Sequence, residues 1–410
     1  MRLVSDSESI RRDNRALVLG ALRNRGPQTR TQLTAETGLS SASVTAITQD
    51  MLAQGLLVDL PGEGRPDLRV RGRPAINLGF NRHFASLCLV EIDVSRARLS
   101  LVDYGGTLID RIESNLSPAF FREHDPGQWL GDRIALLGER NPDEFGALRR
   151  IAISVQGILD PIAQSLRWSP IVGLAGKTFA TTLADRFRAP VGLTKRGRLL
   201  AEGTRWLDPD LREASLATIF VGSTVAMGLS SAGSVLGRNN EGATEFGHMN
   251  HAPGGALCRC GMHGCIEAYA SDYGVLRTAY SVPYSTPPAA HVPPVEYDEL
   301  IRRAQRGDRS ARHAFNVAGQ ALGFGIARLL SVTDPSHIFI AGPGAHALDL
   351  MRAEIDAALA QCFVGRVSGL PVVRALADES EPIFTGLMMQ SLAELDQSEF
   401  AAMPAAEARA

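Results

Sequence analysis

The sequence predicts a chain of mixed α/β class, with a winged helix-turn-helix head in front of a larger two-lobed α/β body. Three observations predict it. Residues 1–80 hold three helical patterns followed by a basic, Gly/Pro-rich hairpin. From about residue 82, apolar strands alternate with helical patterns and end in glycine turns, the signature of an open α/β fold with a crevice at its strand ends. The 410-residue length suffices for two or three domains and a sizeable core. Apolar content of 45% and charged content of 21% are those of a globular protein. No apolar run approaches the roughly 18–20 residues of a membrane span, so no membrane partner is expected. The opening "MRLVSDSESIRRDNR" has no apolar signal-peptide core, and the expected compartment is the cytoplasm.

In the head, residues 13–26 place Val18, Ala21 and Leu22 on one helical face, with Asp13 as the expected N-cap. Thr29 and Gln32 stand at capping-box spacing, and Gly38 stops the second helix. A serine cap opens the third helix, whose buried stripe is Val44, Ile47 and Met51. Two helices joined by a tight glycine turn are the helix-turn-helix arrangement. The face expected to be exposed on the third helix offers Ser41, Ser43, Thr45 and Thr48, short hydroxyl side chains suited to phosphates or base edges of double-stranded DNA. Residues 59–78 read as the wing, with Arg65, Arg69, Arg71 and Arg73 among Gly and Pro. Within it, Arg71 and Arg73 suit a narrow A·T-rich minor groove. Residues 1–80 carry eleven arginines, no lysine and eight acids, against a whole-chain charge of −2.

In the body, residues 84–93 form an apolar strand, and 96–113 form a hairpin turning at Tyr104 and two glycines. Residues 149–160, 214–231 and 335–345 read as further strands, and 178–188 and 310–332 as helices. The Pro-rich run 281–297 reads as an exposed loop, and the residues after about 398 as a frayed tail. Cys88 and Cys362 stand alone in apolar contexts and read as core thiols.

The remaining cysteines, Cys258, Cys260 and Cys265, fall within eight residues of a glycine-punctuated loop. In a reducing compartment such a cluster binds metal more readily than it forms disulfides. Three sulfurs plus one imidazole make a closed tetrahedral zinc site of the structural type. His248, His251 and His263 are the candidate fourth ligands.

The run Glu-Phe-Gly-His (245–248), a ten-residue step to Cys-x-Cys-Gly-x-x-Gly-Cys (258–265), and Glu267 two residues on resemble the ROK family of repressors, open reading frames and kinases. The resemblance spans about residues 10–395 and includes the head, which is similar to that of the family's transcriptional regulators. It implies a sugar-kinase fold of the actin/hexokinase type with two ribonuclease-H-like lobes. It also implies His248 as the fourth zinc ligand, a sugar pocket lined by Glu245, His248 and Glu267, a homodimer or homotetramer, and control by a small carbohydrate. The expected domains are 1–80, 81–398 with the zinc loop at 248–265, and a tail at 399–410.

Against the kinases of that family the chain departs at several places. Thr194 stands where their catalytic aspartate would be, and Leu193 where a sugar-binding asparagine would be. In the first phosphate loop Asp93 is kept, but Ser95, Ala97 and Arg98 replace Gly, Thr and Lys. The second loop keeps only Gly222 and Gly228, and Ile171 replaces a sugar-contacting Asn. A threonine hydroxyl is no general base near neutral pH, so neither ATP use nor phosphoryl transfer is expected. Lys195 and Arg196 follow Thr194 directly; they read either as contacts to an anionic effector or as surface charges at a helix start. The leading expectation is a transcriptional regulator, in the first instance a repressor, with a catalytically degenerate sensor body. Its competitors are an active sugar kinase with an added head and a regulator whose body serves oligomerisation alone.

Overall fold

The caps written into the head appear where the spacing puts them. Thr29 and Gln32 close a reciprocal capping box at the start of α2 (Arg30–Thr37), which ends at left-handed Gly38. The Ser40 hydroxyl accepts from the Ser43 amide to open α3 (Ser41–Ala53). The first helix, α1 (Ser7–Arg25), starts before the expected Asp13 cap, so Asp13 is an exposed position inside it. Nothing between Ser7 and Arg12 breaks a helix. Strands β1 (Leu57–Leu60) and β2 (Asn77–Phe80) pair antiparallel as the two arms of a wing. The computed structural model describes residues 7–60, 76–160, 162–237 and 245–401. The wing tip, with Arg65, Arg69, Arg71 and Arg73, lies outside the described residues.

The body repeats one plan twice. In the first lobe, β3 (Ser86–Ile92), β4 (Arg96–Asp103), β5 (Leu108–Asn115), β6 (Leu148–Val155) and β9 (Val191–Lys195) form a sheet in the order β5-β4-β3-β6-β9. The first three run antiparallel, and β6 and β9 are parallel to β3. Helices α4 (Phe120–Glu123), α5 (Pro126–Arg140), α6 (Pro142–Gly146) and α7 (Phe179–Phe187) accompany this lobe, with a small hairpin of β7 (Ile158–Asp160) and β8 (Ser165–Trp168). In the second lobe, β10 (Leu216–Val221), β11 (Val225–Ser231), β12 (Ser234–Val235), β13 (His337–Ala341) and β14 (Val372–Ala375) take the matching order β12-β11-β10-β13-β14 with the same polarity. Residues 214–231, read from sequence as one strand, are thus the β10–β11 hairpin. Its turn closes through Gly222 N–H to Thr224 O at 3.0 Å, and a β-carbon at Gly222 would press on the Phe220 ring at 2.9 Å. The central strands β3 and β10 are buried nearly throughout, as strands covered on both faces must be. The second lobe carries α9 (Glu267–Ala270), α10 (Asp272–Ala279), α11 (Pro294–Gln305), α12 (Arg309–Leu330), α13 (Pro343–His346), α14 (Leu348–Ala360) and α15 (Phe363–Ser368). Cys88 and Cys362 are buried core thiols, as expected.

Two helices join the lobes. α8 (Arg196–Arg205) follows β9, and α16 (Ser380–Leu395) crosses it. The crossing is backbone on backbone: a β-carbon at Gly203 would strike the Pro382 carbonyl oxygen, and one at Gly386 the Leu199 carbonyl oxygen. After α16 a π turn, Asp396–Phe400, docks the head. Arg23 of α1 pairs with Asp396 at 2.8 Å and lies over the Phe80 and Tyr104 rings at 3.6 and 4.4 Å. Arg15, 1% exposed, donates to the Phe400 carbonyl at 3.0 Å. Head residues Val18, Leu19 and Leu22 share one apolar cluster with Leu387, Leu392 and Leu395 of α16. The expectation of a free tail after residue 398 is therefore corrected for Phe400 and Ala401, which are 4% and 2% exposed. Phe400 is anchored edge-on against Phe84 and Tyr104.

No helix among the described residues is long and apolar enough to cross a membrane. Because the α8–α16 crossing leaves no room for a methyl group, Gly386→Ala is expected to lower stability by at least about 1–3 kcal/mol. Urea unfolding with unchanged m-value checks this.

Candidate functional site

The zinc-type loop folds as a knot of short turns between β12 and α9. His251 and Ala252 amides both reach the Gly264 carbonyl, and Cys258 N–H donates to Met262 O. These turns gather His248, Cys258, Cys260 and Cys265, whose ligand atoms all lie within 4.8 Å of one another. Tetrahedral Zn–S bonds of about 2.3 Å place two sulfurs about 3.8 Å apart; Cys260 and Cys265 sulfurs are 3.8 Å apart. His248 turns Nδ1 toward Cys258 Sγ at 3.7 Å. Of the other candidate histidines, His263 spends Nδ1 on the Gly255 carbonyl at 2.9 Å, and His251 packs against Tyr269. The Cys258 thiol is pushed up to about 12, first by its contact with Cys265 and then by burial. A divalent cation supplies the charge that lets three crowded thiols ionise together. The four residues fit a structural metal ion and leave no protein-side position for reactive water.

Beside this cluster a cavity of about 60 Å³ opens between the lobes, lined among others by Gln156, Trp168, Lys195, Glu245, His248 and Glu267. The structure therefore brings Glu245, His248 and Glu267 to one wall. Glu267 is not a solvated helix-start carboxylate: it is 1% exposed and accepts from Val225 N–H at 3.1 Å and the Tyr273 hydroxyl at 3.2 Å. Burial and the neighbouring Glu267 push the Tyr273 phenol well above its ordinary range, so it stays a donor. Arg259, set between two of the cysteines, donates to the Ser223 carbonyl at 2.6 Å and holds the β10–β11 turn against the loop. Trp168 meets the His248 ring edge-on at 6.0 Å. Glu245 pairs with Lys195 at 2.5 Å across the cavity.

On the opposite side lie the residues expected at a phosphate site. Asp93 pairs with Arg196 at 2.7 Å and accepts from Gln156 at 3.1 Å. Burial opposes ionisation of Asp93, but Arg196, the Val94 amide and Gln156 together outweigh it and hold the carboxyl below its usual range. Burial likewise works against the Arg196 charge, and Asp93 and Glu379 restore it. Lys195 and Arg196 side chains are only 14% and 11% exposed. Neither is a surface charge, which corrects that reading; both face carboxylates and both line the cavity. Thr194 is buried and accepts from Gln390 at 3.3 Å. Leu193 and Ile171 lie in the first lobe's apolar cluster. Sequence reasoning passed over Gln156 and Trp168, which belong to no motif of fixed spacing and reach the cavity only through the fold, and Arg259, the unspecified residue of the Cys-x-Cys step, whose role depends on its contact with Ser223.

On the head, Ser41 is exposed and Ser43 and Thr45 are half-buried on α3. Thr48 is corrected: it is fully buried and accepts from Arg30 Nε at 2.9 Å, which takes its hydroxyl away from a groove. Gln49 is exposed, one turn beyond Thr45 and two beyond Ser41. It was legible from i, i+4, i+8 spacing, and glutamine is a side chain that reads adenine edges.

Two like-ordered α/β lobes closing on a polar cavity beside a Cys3His loop, with a winged head at the front, define a protein of sugar-kinase fold carrying a DNA-binding type of domain. The chain belongs to the ROK family, whose model matches residues 99–384. A MarR family model matches residues 12–66. Over 414 residues the chain is 24% identical to the DNA-binding transcriptional dual regulator NagC of Escherichia coli K12, covering 95% of this chain and 98% of that one. It is 23% identical over 341 residues to a xylose repressor of Bacillus spizizenii, covering 82% and 84%. A crystal structure of a ROK family transcriptional regulator, a homologue of the E. coli MLC protein, superposes with a TM-score of 0.78 at 20% identity over 96% of this chain and 99% of that one. A ROK hexokinase from Thermus thermophilus superposes with a TM-score of 0.58 at 21% identity, covering 74% of this chain and 97% of that one. At these identities the superpositions establish the shared fold.

Elemental analysis of the purified chain is expected to find one zinc per chain. Cys258→Ser and Cys265→Ser are each expected to abolish it, and His263→Ala to leave it in place. Loss of zinc on His263→Ala would replace His248 as the fourth ligand.

Proposed function

We propose that this chain is a DNA-binding transcriptional regulator, a repressor in the first instance, of carbohydrate-related genes. Its kinase-like body senses a small carbohydrate and transfers no phosphate. The observation that carries this reading is the Arg196–Asp93 ion pair. A kinase keeps its phosphate-loop carboxylate open toward nucleotide phosphates and their metal; here a guanidinium of the same chain neutralises it, and a hydroxyl stands at the position of the base. The names of the relatives, a dual regulator and a xylose repressor, support the same conclusion.

In this reading Glu245, His248 and Glu267 hold sugar hydroxyls. The carboxylates accept hydrogen bonds, and the imidazole offers its second nitrogen. The metal is a structural zinc held by His248, Cys258, Cys260 and Cys265, and its chemistry is to fix that wall. Ser41, Ser43 and Thr45 with Gln49 face operator DNA, and Arg71 and Arg73 reach the adjacent minor groove. The working unit is a cytoplasmic homodimer or homotetramer, because paired heads match paired half-sites. The domain limits we propose are 1–80 for the head and 81 to about 401 for the body.

Gel-shift titration with the chain's own promoter region is expected to show salt-dependent binding, and a coupled assay no ATP turnover across common hexoses and amino sugars. Turnover would establish the kinase reading instead. Glu267→Ala is expected to weaken sugar binding by roughly tenfold or more, the loss of a hydrogen bond to a charged group. Calorimetry against a panel of neutral and acidic sugars measures it.

A further inference from the structure

Helix α16 reaches a residue of the cavity lining at one end and the head at the other. Just before its first turn, Glu379 lies 3.8 Å from Arg196, the residue that lines the cavity and neutralises Asp93. Further along, Gln390 donates to the Thr194 hydroxyl and to Glu394 at 2.8 Å, and accepts from Arg198 at 3.3 Å. Glu394 in turn pairs with Arg150 of β6. Beyond the last turn, Asp396 accepts from Arg23 Nε at 2.8 Å and from the Tyr104 hydroxyl at 2.6 Å. The sixteen residues of the helix span about 24 Å.

We propose that α16 is the element that carries the state of the cavity to the DNA-binding head, with Asp396 as the positioning residue that sets the head's orientation. The proposal rests on the reading of the cavity as a carbohydrate site and of the head as a DNA-binding domain. Three features make the helix a stiff transmitter. Its crossing with α8 is a backbone contact through Gly203 and Gly386, so no flexible side chain absorbs a shift of one helix against the other. The start of α8 is Arg196, and the residue capping it is Lys195, the cation that bridges the cavity to Glu245. Lys195 occupies the Glu245 carboxylate across the cavity, so a ligand that takes Glu245 must move Lys195 and with it the first turn of α8. At the far end the side chain of Asp396 is 4% exposed. A carboxylate so buried is held by Arg23 and Tyr104 or is left without compensation, which gives the clamp two discrete states in place of a continuum.

The test has a ligand-free arm and a ligand arm, both on the full chain. In the first, Glu379→Gln alters the cavity end and amide hydrogen exchange is read at the head. The α1 amides around Leu19–Leu22 are expected to exchange roughly tenfold faster, the same change expected of Asp396→Asn, while α7 stays at its parent rate. Changes confined to the first turns of α16 and α8 overturn the proposal. Tyr104→Phe keeps the ring and deletes only the hydroxyl, so it stands in should Asp396→Asn fail to fold. In the second arm, glucose, xylose and N-acetylglucosamine are titrated by calorimetry and then added to operator gel shifts. Asp396→Asn and Tyr104→Phe are expected to bind sugar as the parent does. The factor by which sugar changes operator affinity, roughly 5–150 for coupled sites, is expected to fall toward one. An undiminished factor overturns the proposal, and so does a Glu379→Gln/Asp396→Asn double variant whose effects add independently. Should the parent bind no sugar, the carbohydrate reading fails while the exchange arm still decides whether α16 couples its two ends.

Discussion

The contact between α8 and α16 is made of backbone, and most of the molecule is arranged around it. Two glycines, Gly203 and Gly386, let the helices approach until carbonyl oxygens of one sit where a β-carbon of the other would be. α8 links the last strand of the first lobe to the first strand of the second. α16 returns from the second lobe to cover both the interlobe junction and the head. Close approach buries two helices at the junction that a two-lobed protein otherwise leaves loosest. It also fixes the direction in which the strand ends point, and hence which side chains meet across the cavity.

The second organising feature is the metal-type loop. Its four donors do more than close a tetrahedron, because the residues between and after them reach outward. Arg259 ties the loop to the Gly222–Thr224 turn, and Glu267 takes the Val225 amide that follows the same turn. The loop, the turn and one cavity wall are therefore a single hydrogen-bonded unit. An ion that orders the loop orders the wall as well, the usual reach of residues outside a coordination shell. The kinase-side wall is held differently. There the charges are satisfied within the chain by Arg196, Asp93 and Glu379, and such satisfied pairs favour one arrangement of the lobes over others.

Much of this was legible in the sequence, for reasons that differ by element. Thr29, Gln32, Gly38 and Ser40 announce helix ends through local hydrogen bonds, and the structure places the caps there. The Cys258–Cys265 spacing announces a donor cluster because the loop is short enough to have few conformations. The 96–113 hairpin turned at Tyr104 as its glycines indicate. What failed were statements about which face a residue shows. Thr48 sits on the helix-turn-helix seam because α2 brings Arg30 over it, and no local pattern encodes that. Phe400 looked like tail because the sequence beyond it is alanine-rich with no apolar periodicity, yet an aromatic pocket of Phe84 and Tyr104 receives it from more than 290 positions away. Lys195 and Arg196 carry charge that only tertiary partners 50 and 103 residues distant could explain.

The bridge from Lys195 to Glu245 has one more consequence. It spans the cavity that a ligand would fill, so the ligand-free protein is its own competitor. Entry waits on a fluctuation that parts an ammonium from a carboxylate, and the observed affinity is the intrinsic affinity scaled by the fraction of time the pair is open. The regulator's threshold is tuned by the strength of one ion pair that never touches the operator.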